Sequence, residues 1–280
     1  MIRFGLLTVG ILFLFNPDVN LIDVLPDCIG YLCICFAIAR AADLCGELAD
    51  AHAEFWRLFW ITLSKLPAWL IATLITARSV GEETILLSMT FAYAVAETVF
   101  GVRAFTRLFE GLSYLGTRYD GGEFLYKIPA RPKKLRGTDG PTAVLRFRPV
   151  NGLAALSCAF VVFKSVFCVL PELSLLSNYD SLGFVTPDSA VLYRYRPLLI
   201  GMSCVLVFVC GLIWLCRMLG YVRHIRKNTA FWDSLSAIYR ETVLPKTGIF
   251  VMRRVHVFMI VAALAAFTSV DMYLDEINYI

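Results

Sequence analysis

The sequence predicts an all-α, polytopic membrane protein with about seven transmembrane helices and additional interfacial amphipathic helices. Three observations carry that expectation. Of 280 residues, 59% are hydrophobic and only 17% charged, with a mean hydropathy of +0.70, whereas soluble domains run near ~25% charged. The apolar residues are gathered into blocks of about 17–25 residues, the length at which a helix crosses a bilayer. The Lys and Arg residues collect in alternate connecting segments, as the positive-inside rule requires.

Seven apolar blocks follow one another, at about 3–16, 28–45, 56–77, 84–105, 151–171, 197–219 and 250–270. The first, "MIRFGLLTVGILFLFN", has one Arg and a short apolar core. It lacks a small-x-small cleavage site, so it reads as a retained span rather than a signal peptide. Asn16-Pro17 ends it and opens "NPDVNLIDVLPDCIGYL". There Leu25-Pro26-Asp27 restarts helix, with Asp27 suited to cap the second block. Val19, Leu21, Ile22, Val24 and Leu25 suit a short segment in the membrane interface. The acidic set Asn16, Asp18, Asn20, Asp23 and Asp27 is thus expected to be solvated at the outer surface. A hard cation held by Asn16, Asp18, Asn20 and Asp23 is the sharper alternative, although no EF-hand spacing is present.

The second block runs out in the more polar "ARAADLCGELADAHAE". The third and fourth make a hairpin turning near Gly81. Lys65 and Glu97 lie equally far from that turn, so they fall at similar depth on adjacent antiparallel helices. An intramembrane ion pair between them is expected, with Pro67 kinking the third helix beside it. Ser88, Ala92 and Ala96 on the fourth block are spaced for close helix contact. The fifth block carries Lys164, with no evident partner but within reach of the outer interface or Glu172. The seventh opens with Arg253, Arg254 and His256 in its first turns.

Between the fourth and fifth blocks, residues 117–150 form a basic, Gly- and Pro-containing cytoplasmic linker. Arg131, Lys133, Lys134 and Arg136 in it suit anionic lipid head groups, at about 1 kcal/mol per basic residue near the surface. The loop 172–196 is aromatic and mildly acidic and is expected to fold back on the membrane surface. Residues 229–244, "TAFWDSLSAIYRETVL", place Phe231, Trp232, Leu235, Ile238, Tyr239 and Val243 on one helical face, the pattern of an interfacial amphipathic helix on the inner leaflet. The chain therefore divides into a four-span half (1–116), the linker (117–150) and a three-span half (151–280).

Orientation follows from the basic residues. With the N-terminus inside, the inner segments hold Arg3, Arg40, Arg57, ten residues from Arg103 to Arg148 and eight from Arg217 to Arg254. The outer segments hold only Arg78, Arg194 and Arg196. A plasma-membrane protein with a cytoplasmic N-terminus and an external C-terminus is expected.

No catalytic signature is present: no HExxH, GxSG with a partner His, GxxxxGK[ST], GxGxxG or CxxCH, and no paired intramembrane Asp. The three His residues are scattered, and the nine Cys form no CxxC pair, so no metal centre, cofactor or disulfide framework is expected. The basic excess is what membrane topology requires, so a nucleic-acid partner is not expected. The expected partners are the bilayer, anionic head groups, and a membrane-protein partner or a second copy of the chain.

One internal similarity stands out. An offset of 255 residues sets Asn16, Asn20, Ile22, Asp23 and Leu25 on Asp271, Asp275, Ile277, Asn278 and Ile280. A parallel repeat beginning near 250, of the kind found in transport folds, is one reading of it; the sequence would then stop where a second Leu-Pro-Asp begins.

At "NPDVNLIDVLPDCIGYL", "ETVFGVRAFTRLFEGLSYLGTRYDG" and "VLPELSLLSNYDS" the chain resembles a group of uncharacterised multi-span membrane proteins from Gram-positive anaerobes. That resemblance implies a membrane protein and brings no activity, cofactor or site residue. The expected function is a non-enzymatic, transporter-like or membrane-complex component. The alternative is a membrane-embedded enzyme acting on lipid-linked or envelope substrates through the outer Asp cluster.

Overall fold

The computed structural model describes residues 1–19, 22–23, 26–76, 82–119, 148–171 and 195–242. Asn20, the basic group Arg131, Lys133, Lys134 and Arg136, Glu172, and the seventh apolar block with its repeat lie outside the described residues.

The described residues are helical apart from one short hairpin. In chain order they form α1 (Phe4–Leu14), β1 (Asp18–Val19), β2 (Ile22–Asp23), α2 (Asp27–Ala42), α3 (Gly46–Thr76), α4 (Glu82–Arg118), α5 (Arg148–Val169), α6 (Arg196–Arg226) and α7 (Thr229–Thr242). Strands β1 and β2 pair antiparallel, with Asp18 opposite Asp23 and Val19 opposite Ile22. Among the described residues two helices are long and apolar enough to cross a membrane: α5 over Gly152–Val169, with a mean hydropathy of 2.1, and α6, at 2.7.

Two helices extend well past their apolar blocks. Helix α3 begins at Gly46 rather than near 56, and α4 continues to Arg118 rather than ending near 105. Their polar ends carry helical i,i+3 pairs, Arg57–Glu54 at 2.8 Å and Arg107–Glu110 at 3.1 Å, which favour helix without apolar cover. Apolar length therefore marks only part of each helix.

Consecutive helices pack side by side, and glycines set the closest approaches. A Cβ on Gly10 of α1 would meet the Gly30 carbonyl of α2 at 2.7 Å, and one on Gly101 of α4 would meet Val161 of α5 at 2.9 Å. The small-residue stripe of α4 differs from the expected one. Ser88 and Ala92 are exposed, while Leu87, Thr90, Ala94 and Glu97 form the buried face. Spacing alone cannot say which of two adjacent stripes faces a neighbour.

The first two helices are short. Helix α1 has 11 residues and α2 has 16, about 16 Å and about 24 Å at 1.5 Å per residue. At its start, Arg3 N donates to Ala37 O at 3.0 Å, and Phe4 packs edge-on against Trp232 at 5.3 Å, just beyond the C-terminal end of α6. At its end, Phe15 lies against Phe208, with centroids 5.7 Å apart. A Cβ on Gly211 would stand 2.6 Å from the Phe15 carbonyl. Gly211 is the middle residue of the 31-residue α6, so the end of α1 meets that helix at mid-length.

Helix α7 turns its apolar face to the bundle. Asn228 caps it, its Oδ1 accepting from Phe231 N at 3.3 Å. Phe231, Trp232, Leu235 and Tyr239 are buried. The Trp232 indole donates to Ile225 O at 2.8 Å and the Tyr239 hydroxyl to Asp43 Oδ2 at 3.0 Å. The amphipathic pattern expected to lie on lipid is here met by the ends of α1, α2 and α6.

At the α2–α3 turn, the Cys45 thiol is buried and donates to Glu47 Oε2 at 2.9 Å. Burial first, and then that hydrogen bond, push the thiol up to about 11. Cys45 should therefore resist iodoacetamide at pH ~8, because the thiolate is the nucleophile. Peptide mapping of the folded protein after alkylation checks this; modification of Cys45 at the rate of a free thiol would refute it.

Candidate functional site

Four charged side chains are buried among the described residues, and they lie near one another. Lys65 on α3 and Glu97 on α4 are 5% and 7% exposed; Asp27 on α2 and Lys164 on α5 are 2% and 7%. Lys65 Nζ stands 2.6 Å from Glu97 Oε1, and Lys164 Nζ donates to Asp27 Oδ2 at 2.6 Å. The Tyr31 side chain lies within electrostatic reach of all four charges. Two ammonium groups and two carboxylates make a set with no net formal charge.

Local structure positions each member. Pro26, with φ −60° and ψ 111°, takes the N-cap position of α2, so Asp27 is its first helical residue. Its carboxylate thus sits at the positive end of the helix dipole. Lys65 and Glu97 are matched by the α3–α4 register, which a neighbouring polar contact reinforces: Tyr93 Oη lies 3.0 Å from Ser64 Oγ and donates to Ser64 O at 3.1 Å. Pro67 lies within α3, and its missing N–H leaves the Leu63 carbonyl without its usual helical donor. Ser165 follows Lys164 on α5, one turn from Phe160 and Val161.

A cavity of about 20 Å³ borders Glu97 and the Lys164–Asp27 pair, lined by Asp27, Tyr31, Glu97, Lys164, Ser165 and Trp214, among others. Its wall is polar on the side of the charges. Trp214 lines it from α6, stacked on Phe160 at 4.7 Å with its indole donating to Ser157 Oγ at 3.0 Å.

The structure thus brings together Lys65, Glu97, Lys164 and Asp27. Asp27 is buried against Lys164 rather than solvated, because the turn between α1 and α2 meets α6 at mid-length. Asn16 is buried as well. Asp18 and Asp23 are register partners across the β1–β2 hairpin. The Lys164–Asp27 pair spans 137 residues and joins helices that are not chain neighbours, so no hairpin symmetry reveals it. The one available signal is that each buried ammonium needs a carboxylate, and Asp27 heads the apolar run "DCIGYLCICFAIA".

None of the nine cysteines is in a disulfide. Among the described residues no three His, Cys, Asp or Glu side chains are grouped as metal ligands. No protein-family model matches the chain, and no curated protein or solved structure matches it either.

Proposed function

We propose that the chain is a multi-span integral protein of the plasma membrane, with a cytoplasmic N-terminus and an external C-terminus. It acts as a non-enzymatic, transporter-like unit or as a component of a membrane complex. One observation carries this reading: the polarity of the bundle is inverted relative to a water-soluble protein. Val205 and Leu198 of α6 are 63% and 58% exposed, with Phe91, Met202 and Ile213 likewise outward, while Lys65, Glu97, Asp27 and Lys164 are paired inside. In water the exposed apolar face would be a liability; in lipid it is the required surface, and charge is tolerated only in the interior.

Within that reading, α1 and α2 form a re-entrant hairpin. Neither reaches the ~20 residues of a crossing helix, and the end of α1 abuts the middle of α6. The chain enters from the cytoplasm along α1, turns at the β1–β2 hairpin at membrane depth, and returns along α2. Irregular backbone is acceptable there because it is packed against protein. Both ends of the hairpin stay inside, so the orientation of all later segments is unchanged. Arg131, Lys133, Lys134 and Arg136 then lie on the cytoplasmic face beside anionic head groups, and the exposed apolar face is open to lipid, a partner or a second copy.

Impermeant maleimide labelling of introduced cysteines, measured as the increment over the unsubstituted chain in sealed cells, tests both parts. Tyr195→Cys should label from outside and Lys227→Cys only after the cells are opened. The reverse pattern inverts the topology, and labelling indifferent to the seal removes the membrane reading. Val19→Cys should resist external reagent. If it labels as readily as Tyr195→Cys, the re-entrant hairpin is wrong and α1 crosses.

A further inference from the structure

We propose that the cavity bordered by Glu97 and Asp27 is a water site through which these two carboxylates share one exchangeable proton. The inference rests on the membrane reading above and deepens it by naming the proton as the species this site handles. Its size fits a single water: about 20 Å³ against the ~10–15 Å³ that one water requires. The wall carries groups of both hydrogen-bonding senses, as a bound water needs: the Asp27 and Glu97 carboxylates accept, the Lys164 ammonium donates, and the Tyr31 and Ser165 hydroxyls do either.

The charge balance excludes a metal cation as occupant. Lys65 and Lys164 already neutralise the two carboxylates, so a divalent or alkali ion would enter a set with no spare negative charge and face an ammonium directly. A proton brings the same single charge as an alkali ion, but it forms an O–H bond on a carboxylate and needs no shell of oxygen ligands. The titratable groups facing the cavity are Asp27 and Tyr31 from α2, Glu97 from α4 and Lys164 from α5, with Lys65 behind Glu97 on α3. Helices α1 and α6 contribute Leu14 and Trp214, which do not titrate.

The exchange involves O–H bonds only. A proton arriving from bulk water forms the Glu97 carboxylic acid, whose O–H donates to the cavity water. That water passes one of its own protons to Asp27 and takes the Glu97 proton in its place, leaving Glu97 a carboxylate and Asp27 an acid. No electrons move, and both lysines stay protonated throughout.

Infrared difference spectroscopy on the full chain reconstituted in phosphatidylcholine vesicles reads both the acid and the water. On acidification the native chain should show a protonated-carboxyl C=O band that shifts in D₂O. Glu97→Gln and Asp27→Asn should each leave one carboxyl, whose titration midpoint moves to lower pH by more than ~1 unit, because the orphaned ammonium now acts on it. Two bands that disappear one at a time with the other unmoved would mean isolated structural pairs and overturn the proposal. Should either variant fail to fold, the native chain still decides: an O–H stretch shifted by H₂¹⁸O must change together with the carboxyl band. Ser165→Val, which narrows the cavity and leaves all charges in place, must abolish it. An absent ¹⁸O-sensitive band overturns the water site. Loss of the proton signal with the labelling pattern intact removes only this inference and leaves the membrane reading standing.

Discussion

Lys164→Met is expected to destabilise the folded protein by about 3–5 kcal/mol, and Asp27→Leu/Lys164→Met to recover most of that loss. The reason lies in the asymmetry of buried ion pairs. The two charges cost several kcal/mol each to remove from water, and the 2.6 Å contact offsets that cost only while both are present. Removing the ammonium alone leaves the Asp27 carboxylate, almost wholly enclosed, facing an apolar methionine. It must then take up a proton or admit water. Replacing both partners by apolar side chains removes the problem at its source. Unfolding in mixed detergent micelles across the four members of the cycle measures the coupling. Additive single effects, with a double variant worse than either, would show that Asp27 and Lys164 do not act as a pair. The same cycle on Lys65 and Glu97 should have the same sign, since their contact is equally short and equally buried.

Trp214→Ala is the second large effect, at about 3–5 kcal/mol. The indole is wholly buried, stacked on Phe160 with an interplanar angle of 16° and edge-on to Phe105 at 6.1 Å. In a bilayer the transfer of apolar surface contributes little, because lipid is as apolar as the core. Packing contacts dominate helix association there, and a void forfeits them outright. Truncation also takes the hydrogen bond from Ser157 and enlarges the cavity beside the ion pairs. Trp214→Phe should restore most of the packing and lose about 1 kcal/mol for the missing N–H donor. Thermal unfolding in detergent of the two variants beside the native chain separates the terms. Equal losses in both would mean that the hydrogen bond, not the ring, holds the site.

The depth match of Lys65 and Glu97 was legible because it follows from chain geometry alone: two helices joined by a short turn run antiparallel, so equal distances from Gly81 mean equal depth. The same logic gives nothing for Lys164, whose partner arrives from the N-terminal hairpin. It also misleads at Asp27. Reading each apolar run as a full crossing carries the intervening polar stretch to a surface, whereas Asp27 is buried against Lys164. The lengths of α1 and α2, 11 and 16 residues in the structure, are the point at which counting runs and measuring helices diverge. For α7, the amphipathic pattern was plain in the sequence while the surface that receives it was not. Protein and lipid accept the same face.

The helical class, the register of the α3–α4 hairpin and the uneven distribution of basic charge can all be read along the chain. Each depends on local periodicity or on simple counting along the chain. Folding alone brings Asp27 to Lys164, rests the turn after α1 against the middle of α6, and sets Glu97 and the Lys164–Asp27 pair around one small cavity. Those facts depend on how deeply one helix seats against another, and that is set by where glycines such as Gly10, Gly30 and Gly211 let backbones approach. Such contacts join residues far apart in the chain and leave no periodic trace in it.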